Sequence, residues 1–512
     1  MNQERSNLKA VEEEVSAWFA QPRWRYTKRD YTAADVAPLR GSLKIEYPSN
    51  FTAKKLYDLV RQKQENLSYS ATYGALDPVQ VVNEAKYLET IYVSGWQCSS
   101  TANPTFQRGP DFADYPLHTV PSKVKQLYEA LLYEDRIQTQ TRAAMSLEEL
   151  EATPKRDYLV PLIADADCGF GGVTSTMKLA KLFAEAGAAG IHIEDQKAGA
   201  KKCGHMGGKV IVSCQEWLDR LKACRLQFDI MGTETVIVAR SDTFSGKFID
   251  TNHDIRDQAF ILGKFEPESD RLMTYVEAGL ETIKKTLPST KQSAALKEWT
   301  SMAPSLGLKE ARKLATKLGF EFFFDWDACR TNEGFFLLQS GLACALNRVK
   351  HAYQYCDLFW METPKPDLET CRSLASSVRQ IHPKIMLAYN LSPSFNWELF
   401  DEKYLRTFCD EIGKLGFCWQ FITLAGFHMN SLISEVFSRE FNKDKMYAFV
   451  KHLQSQEREQ NVDQLKHQKW SGAGLVDKEV GIVTCGNAST QALQDGCTED
   501  QFQVSKAKVN LQ

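Results

Sequence analysis

The sequence has no long apolar run, no strong charge of one sign and no paired cysteine spacing. Its 512 residues carry a formal net charge of -3, and 43% of them are hydrophobic. A membrane span needs about 20 consecutive apolar residues, and nucleic-acid-binding chains usually carry a basic excess. The sequence therefore disfavours both insertion into a membrane and binding to nucleic acid. A chain of this length can bury a large core, and the composition fits a soluble metabolic enzyme.

The thirteen cysteines are scattered along the chain without the spacing of a disulfide framework. No apolar signal-peptide segment follows Met1, and residues 509–512 lack the Ser-Lys-Leu type of peroxisomal address. Free thiols are typical of reducing compartments. We therefore expect a reduced protein of the cytoplasm.

The run Lys-Lys-Cys-Gly-His-Met-Gly-Gly-Lys at residues 201–209 places one thiol among cations on a glycine-rich backbone. Neighbouring Lys or His⁺ lowers the pKa of a cysteine from about 8.5. The pattern predicts that Cys203 forms a thiolate and moves a proton on or off carbon. The alternative is a basic surface loop with an incidental cysteine.

Two apolar runs upstream end in acids. Residues 159–167 end in Asp165 and Asp167, which strand geometry points to the same side. Residues 189–196 end in the same way and include Glu194. Two carboxylates on one face suit Mg²⁺, which usually takes one or two protein carboxylates. The alternative is a pair of turn-forming aspartates.

Strand-like runs alternate with helical ones, which predicts parallel strands joined by helical crossovers. Helical spacing marks residues 175–188 and 213–229, the second opened by Ser213 with Glu216 three residues on, a capping-box pattern. Eight strands close a TIM (β/α)8-type barrel, and we favour this α/β fold over a doubly wound sheet. The eight candidate strands are 67–72, 90–94, 158–165, 190–194, 235–240, 357–362, 384–390 and 418–423.

Four separate motifs occur in an order that resembles the isocitrate lyase family. They are Ser-Gly-Trp at 94–96, the 201–209 run, Asn-Leu-Ser-Pro-Ser-Phe-Asn-Trp at 390–397, and Gln-Phe-Ile-Thr-Leu-Ala-Gly at 420–426. The resemblance covers residues 18–502, nearly the whole chain. It implies the same barrel fold and a retro-aldol cleavage of isocitrate to glyoxylate and succinate.

The resemblance also implies roles for individual residues. Cys203 would protonate the succinate carbanion, and His205 would tune the thiol. Mg²⁺, with Mn²⁺ as a substitute, would bind Asp165, with Asp111, Asp167 and Glu194 nearby or reached through waters. The substrate-binding positions are Ser94, Gly95, Trp96, Gly204, His205, Arg240, Glu362, Asn390, Ser392, Ser394 and Thr423.

Three of these assignments have structural alternatives. Arg240 can form a structural salt bridge with Asp242 or Glu194 instead of clamping a substrate carboxylate. Glu362 can serve as a partner of Arg240 or of a lysine. The serines of the Asn390 loop can form an ordinary turn.

The predicted organisation has four parts. Residues 1–65 form an N-terminal helical segment, whose aromatic cluster around Trp18 and Trp24 is expected to pack on the barrel or on a neighbouring subunit. Residues 66–242 and 335–430 form the catalytic barrel, interrupted by a helical insertion at 243–334 in which residues 272–287 and 309–318 have helical spacing. Residues 431–512 form C-terminal helices to about residue 469 and then a tail rich in Gly, Ser and Thr. Resemblance to the family implies a homotetramer that exchanges C-terminal helices, and a peroxisome or glyoxysome as the alternative location.

The chain departs from the family pattern at Cys168, where Thr is usual, at Phe170, often His, and at Ser241, usually Thr. The first two lie beside the predicted metal acids and can change the substrate fit. One alternative function is 2-methylisocitrate lyase, because one methylene in an apolar pocket is worth only about 1–3 kcal/mol. Thr423 and the serines after Asn390 favour isocitrate. The other alternative, a non-catalytic scaffold, predicts a missing thiol or metal acid, and neither is missing.

Overall fold

A computed structural model describes residues 3–503. Residues 509–512, on which the expectation about a peroxisomal address depends, lie outside this range. Within it the chain forms two compact units, one of residues up to 128 with 160–425, and one of residues 129–159 with those from 426 onward. No helix in this range is both long and apolar enough to cross a membrane.

Eight parallel strands of the first unit form the predicted barrel. Each strand pairs with the next one along the chain, and a parallel bridge between Gly74 and Tyr92 joins the first two. Except for β1, the strands are mostly apolar and buried, because helices and core cover both faces. The TIM-type prediction is therefore confirmed. The strands are β1 (Ser70–Tyr73), β2 (Ile91–Val93), β3 (Leu162–Asp165), β4 (Gly190–Glu194), β5 (Val236–Ser241), β6 (Leu358–Met361), β7 (Met386–Asn390) and β8 (Phe417–Ile422).

One long or medium helix follows each strand in the sequence. Ser213 caps the fourth helix by accepting a hydrogen bond from the Glu216 amide at 3.1 Å. The predicted capping box is only half formed, because the Glu216 carboxylate pairs with Arg220 instead. The helices are α1 (Pro78–Ala85), α2 (Thr119–Ala143), α3 (Val173–Ala186), α4 (Cys214–Met231), α5 (Leu342–Ala352), α6 (Leu368–Ile381), α7 (Glu402–Lys414) and α8 (Ala425–Asp444).

Further elements precede, interrupt and follow this repeat. The N-terminal helices are Gln3–Phe19, Ala33–Val36 and Ser49–Glu65, and two short helices are Gly95–Thr101 and Leu147–Ala152. The helices between β5 and α5 are Ile255–Gln258, Tyr275–Thr286, Ser289–Met302 and Leu308–Leu318. The helices after α8 are Met446–Phe449, Ser455–Glu459, His467–Trp470 and Ala473–Val483, with a π-helical turn at Val450–Gln454. The short strands are Val210–Ile211, Phe248–Ile249, Leu262–Lys264, Leu272–Thr274 and Phe336–Leu337.

Two sequence expectations about these elements need correction. The inserted segment is not purely helical, because Leu272–Thr274 pairs with Leu262–Lys264 as an antiparallel ribbon and the helix begins only at Tyr275. The region after residue 469 is not only a polar tail, because Ala473–Val483 is a helix.

The N-terminal segment is held to the barrel by a buried ion-pair network. Arg23 lies 2.7 Å from Asp357, the residue before β6, and its guanidinium stacks on Trp24 and Tyr57. Arg225 of α4 lies 2.7 Å from the other oxygen of Asp357. Arg225 Cζ also lies 5.0 Å from the centroid of the Trp24 ring, so one of the N-terminal aromatics contacts a barrel helix, as expected.

Large side chains fill the barrel interior. Tyr92 and His192 stack and share a 2.9 Å hydrogen bond, and Trp419 stacks on Phe421 with ring centroids 4.2 Å apart. Trp360 packs edge-on against Phe421. A filled barrel has no pore, so polar chemistry is confined to the carboxyl ends of the strands, where the loops begin.

Candidate active site

The predicted site residues meet at the carboxyl ends of neighbouring strands. β3 ends in Asp165, β4 in Glu194 and β7 in Asn390, while Arg240 stands one residue from the end of β5 and Glu362 directly follows β6. All five are buried. Parallel pairing brings them to one rim, which is how barrel enzymes assemble their sites.

Asp165 is held by neutral donors. Its carboxylate accepts hydrogen bonds from the Gly95 amide at 3.2 Å, the Asp167 amide at 2.9 Å and the Tyr92 hydroxyl at 3.4 Å. A Cβ atom at Gly95 would lie 2.7 Å from the Asp165 carboxylate, so this position requires glycine. Ser94 caps the helix that begins at Gly95, which fixes the approach of its amide.

Asp111 and Asp167 are bridged by an ammonium group. The Nζ atom of Lys201 lies 2.8 Å from a carboxylate oxygen of each and donates to the Asp111 carbonyl at 3.0 Å. Tyr115 donates a short hydrogen bond to Asp167. Burial raises the pKa of Asp167 and raises that of Asp111 to about 7, although Lys201 opposes both shifts.

The carboxylates suit a hard divalent cation by their chemistry. Glu194 is fully buried, and neither of its carboxylate oxygens accepts a hydrogen bond within residues 3–503, although Arg240 Nη1 lies 3.2 Å from Oε2. No three acidic, histidine or cysteine side chains in that range converge as a ready-made metal cluster. The Glu194 oxygens, which accept no hydrogen bond in that range, are hard ligands of the kind that a divalent cation such as Mg²⁺ binds.

Arg240 is the centre of a carboxylate cluster. Its guanidinium lies 3.0 Å from Asp242, 3.2 Å from Glu194 and 3.6 Å from Glu362, and it stacks over Trp360 at 4.4 Å. Both structural alternatives raised for Arg240 and Glu362 are thus present. These contacts hold the guanidinium in one orientation, which also suits carboxylate recognition.

The loop that carries the thiol packs directly on this cluster. A Cβ atom at Gly204 would lie 2.6 Å from Arg240 Nη2 and 2.7 Å from Glu362 Oε2, so only glycine fits. His205 Nε2 lies 3.1 Å from the Thr363 carbonyl and 3.4 Å from Glu362, and its Nδ1 lies 3.3 Å from the Ser392 hydroxyl. The 201–209 run is therefore part of the site and not an incidental basic loop.

Asn390 and Ser392 extend the site from β7. The Asn390 amide nitrogen lies 3.3 Å from both oxygens of Glu362, and its buried Oδ1 atom accepts no hydrogen bond within residues 3–503. The Ser392 hydroxyl accepts from the Ser394 amide, which is the turn geometry raised as an alternative. That turn does not remove Ser392 from the site, because the same hydroxyl reaches His205.

The expected thiolate is not supported by the surroundings of Cys203. Burial raises the pKa of the thiol to about 11, and Asp111 adds to the shift, while the His205 amide, Lys201 and Arg240 only partly oppose it. The prediction from neighbouring cations was wrong because burial raises the pKa of the thiol by more than Lys201 and Arg240 lower it.

Three predicted substrate-binding residues lie at the open edge of the site. Ser394 is exposed, and Trp96 and Thr423 are partly exposed. Thr423 follows β8 directly. Their roles as substrate ligands stay predictions.

Sequence reasoning missed the residues that anchor the thiol loop. Lys209 is buried and donates to the Gly204 carbonyl, Asp242 and Ser245 at 2.6, 2.8 and 2.8 Å. The Gln196 side chain binds both backbone groups of Lys202 at 2.8 and 2.9 Å. Lys201 and Lys209 stand in the quoted motif, but nothing in a sequence tells a buried lysine from an exposed one.

The three residues that depart from the family pattern lie in different environments. Cys168 is buried, and burial raises the pKa of its thiol to about 12. Phe170 packs edge-on against Tyr115 beside Asp167. Ser241 keeps the hydroxyl function by donating to Asp195 at 2.7 Å.

The family model described as "Isocitrate lyase family" matches residues 11–285 and 269–502 of this sequence. The chain belongs to the isocitrate lyase family. Isocitrate lyases are carbon–carbon lyases and generally metal-dependent, so the chain is an enzyme of that class. The resemblance proposed from the four motifs is confirmed.

Individual isocitrate lyases match over nearly the whole chain. An isocitrate lyase of Pinus taeda is 45% identical over 99% of this chain and 94% of its own length. One from Saccharomyces cerevisiae is 42% identical over 98% and 97%. A mitochondrial 2-methylisocitrate lyase of Hypocrea atroviridis is 40% identical over 96% and 93%.

Proposed function

We propose that the protein cleaves isocitrate to glyoxylate and succinate, as in the glyoxylate cycle, with Mg²⁺ as the preferred metal and Mn²⁺ as a substitute. One observation carries the proposal. The Cys203 loop packs through Gly204 and His205 on the Arg240–Glu362 pair, at the same rim as Asp165. A proton donor, a carboxylate-binding cation and metal-binding acids therefore share one site.

The reaction is a retro-aldol cleavage. The C2 hydroxyl of isocitrate would pass its proton to a carboxylate of the buried acid cluster, the C2–C3 bond would break, and the electron pair of that bond would pass into the carboxylate on C3, which becomes part of succinate. A bound Mg²⁺ would polarise the C2 hydroxyl and its carboxylate. Asp165 would hold this ion, with Asp111, Asp167 and Glu194 nearby.

The glyoxylate end is assigned to Arg240 and the residues after β2. The guanidinium is fixed by Asp242 and Glu194 and can form two parallel hydrogen bonds to a carboxylate. Ser94, Gly95 and Trp96 complete this end.

The succinate end is assigned to neutral donors. Asn390, Ser392, Ser394, Thr423 and the backbone of Gly204 and His205 would stabilise the charge that builds on the aci-carboxylate. Cys203 then transfers its thiol proton to C3 and completes succinate. A thiol that stays protonated at neutral pH is prepared for this step, and His205 would set its orientation.

Relatives support isocitrate over 2-methylisocitrate as the substrate. The isocitrate lyases of Pinus taeda and Saccharomyces cerevisiae are 45% and 42% identical, against 40% for the 2-methylisocitrate lyase. The family resemblance also supports a homotetramer. A reducing compartment, the cytoplasm or else a peroxisome or glyoxysome, agrees with thirteen free cysteines.

Product analysis tests the proposal. Purified protein with Mg²⁺ is given isocitrate and 2-methylisocitrate in parallel, and glyoxylate and pyruvate are measured. We expect mainly glyoxylate, and a loss of about 10²-fold or more in Cys203→Ser, whose hydroxyl is a far weaker acid. Cys485→Ser, at an exposed thiol, is the control. Dominant pyruvate would assign the protein to 2-methylisocitrate, and no product from either substrate would contradict the proposal.

A further inference from the structure

Lys201 is an unusual cation because it is fully enclosed by the acids of the predicted metal site. It is 1% exposed, and its Nζ atom contacts the carboxylates of Asp111 and Asp167 and the Asp111 carbonyl. Both aspartates have left-handed backbone conformations, with φ of 65° and 48°. The backbone at each is therefore bent in a way that non-glycine residues adopt rarely.

The four acids differ in the charge that faces them. Asp111 and Asp167 share Lys201, and Glu194 pairs with Arg240. Asp165 forms no ion pair with a lysine or arginine in the part of the chain that the structure describes, and its hydrogen bonds come from two backbone amides and a tyrosine. His192 Nδ1 lies 3.6 Å from its carboxylate, but burial lowers the pKa of that histidine well below its usual range, so the ring is neutral. Asp165 is thus the acid whose negative charge is left for an external cation.

We propose that Lys201 is the internal counter-ion of the metal site and competes electrostatically with the divalent cation for Asp111 and Asp167. This inference depends on the metal site of the proposed function. Because its single ammonium group holds one oxygen of each acid, Lys201 keeps them from contacting the ion directly and leaves Asp165 as its principal ligand.

The contacts of Lys201 with Asp111 and Asp167 also fix one end of the thiol loop, because Lys201 stands two residues before Cys203. The loop is anchored at its other end by Lys209, which binds Asp242, the partner of Arg240. Two buried lysines thus tie the loop to the metal acids on one side and to the arginine cluster on the other. Lys201 is a positioning residue and contacts no reacting atom in this scheme.

The test compares Mn²⁺ affinity in the full-length protein. Dissociation constants are measured by titration calorimetry or by the electron paramagnetic resonance signal of free Mn²⁺, without substrate. Removing a positive charge next to a cation site strengthens cation binding. We expect Lys201→Met to bind Mn²⁺ at least tenfold more tightly than the wild type. Lys202→Met removes the same charge one residue away, where the ammonium contacts the Ala200 carbonyl, and is the matched control.

A second pair of variants covers the case in which Lys201→Met does not fold, because it leaves two buried aspartates without their cation. Asp111→Asn is compared with Asp111→Asn/Lys201→Met, in which fewer buried charges remain. The double variant should again bind Mn²⁺ more tightly than its parent. Unchanged or weaker binding on losing Lys201, equal strengthening in Lys202→Met, or no Mn²⁺ binding in any variant would overturn the inference. Isocitrate cleavage by the wild type is assayed separately, so failure of the counter-ion is distinguishable from failure of the proposed activity.

Discussion

At the scale of single residues, the site depends on places where a side chain would not fit. Gly95 approaches Asp165, and Gly204 approaches Arg240 and Glu362, each with less than 3 Å for an added Cβ. At these two positions the backbone is in direct contact with charged side chains. A shift of the backbone would therefore disturb the site as much as a shift of the charged groups.

Gly204→Ala tests this dependence. The added methyl group must displace Arg240 or Glu362, and a shift of about 1 Å at a catalytic group can lower the rate about 10²-fold. We expect kcat/KM for isocitrate to fall by at least that factor while the circular dichroism spectrum is unchanged. Gly207→Ala in the same loop meets no atom within 4 Å and is the control. Equal activities in the two variants would contradict the steric argument.

A second residue-scale prediction concerns Glu84 at the end of α1. It is 2% exposed, neither carboxylate oxygen has a hydrogen-bond partner within residues 3–503, and burial, with Asp77, raises its pKa to about 9. Between about pH 4.5 and pH 9 the folded state therefore holds a proton that the unfolded chain has released. The free energy of unfolding falls as the pH rises through this range. Glu84→Gln should raise the free energy of unfolding by more than about 1 kcal/mol at pH 8.5 and hardly change it at pH 4.5. Urea titrations at both pH values measure the difference, and an equal effect at both would refute the assignment.

The residues of the site could be predicted from the sequence better than their surroundings. The motifs identified Cys203, Asp165 and Arg240 as members of one rim. They did not reveal that burial dominates the pKa of the thiol, or that Lys201 is paired with acids. Burial depends on residues far away in the sequence, and a single sequence does not show it.

At the scale of elements, the eight strands were predictable because a strand covered on both faces is a continuous apolar run. The residues at which the strands begin were predicted less well. For example, β3 was predicted to begin at residue 158 and begins at Leu162. Residues 272–274 had helical spacing but form a strand, because pairing with Leu262–Lys264 satisfies their backbone. Local pattern decides the type of a long element, whereas tertiary pairing decides its ends.

Asp357 joins three elements and gives a prediction at this scale. Burial acts to raise its pKa, but Arg23 and Arg225 outweigh burial and hold the pKa well below its usual range. Asp357→Asn leaves two buried guanidinium groups partly unpaired and should lower the free energy of unfolding by about 3–5 kcal/mol. Arg406→Met, in an exposed pair with Glu402, should leave the denaturation midpoint unchanged. A small effect for Asp357→Asn would contradict the prediction and would mean that water takes over the hydrogen bonds of the lost carboxylate.

At the scale of the whole molecule, more than one hydrophobic core is present. One cluster lies in the barrel and includes Trp360, Trp419 and Phe421. Another lies wholly between Ala259 and Phe324, in the inserted segment, around Trp299. None of the predicted site residues belongs to the inserted core, so its stability and the chemistry should be separable.

Trp299→Ala tests that separation. Trp299 is fully buried, packs against Phe320 and donates to the Val276 carbonyl at 2.9 Å. Its removal should lower stability by about 3–5 kcal/mol, seen as an earlier calorimetric transition, while isocitrate cleavage at 25 °C persists. Trp419→Ala, in the barrel interior, should lower both. Loss of cleavage in folded Trp299→Ala would show that the insertion supports the site.

The excess of buried acids at the rim also predicts the order in which the metal ion and isocitrate bind. Six buried carboxyl groups, those of Asp111, Asp165, Asp167, Glu194, Asp242 and Glu362, face three buried cations, Lys201, Lys209 and Arg240. A tricarboxylate that approaches alone meets an excess of like charge. We therefore expect the divalent cation to arrive before isocitrate or together with it as a chelate. Isocitrate without the ion would then bind weakly, so its apparent affinity should rise with the concentration of free divalent cation.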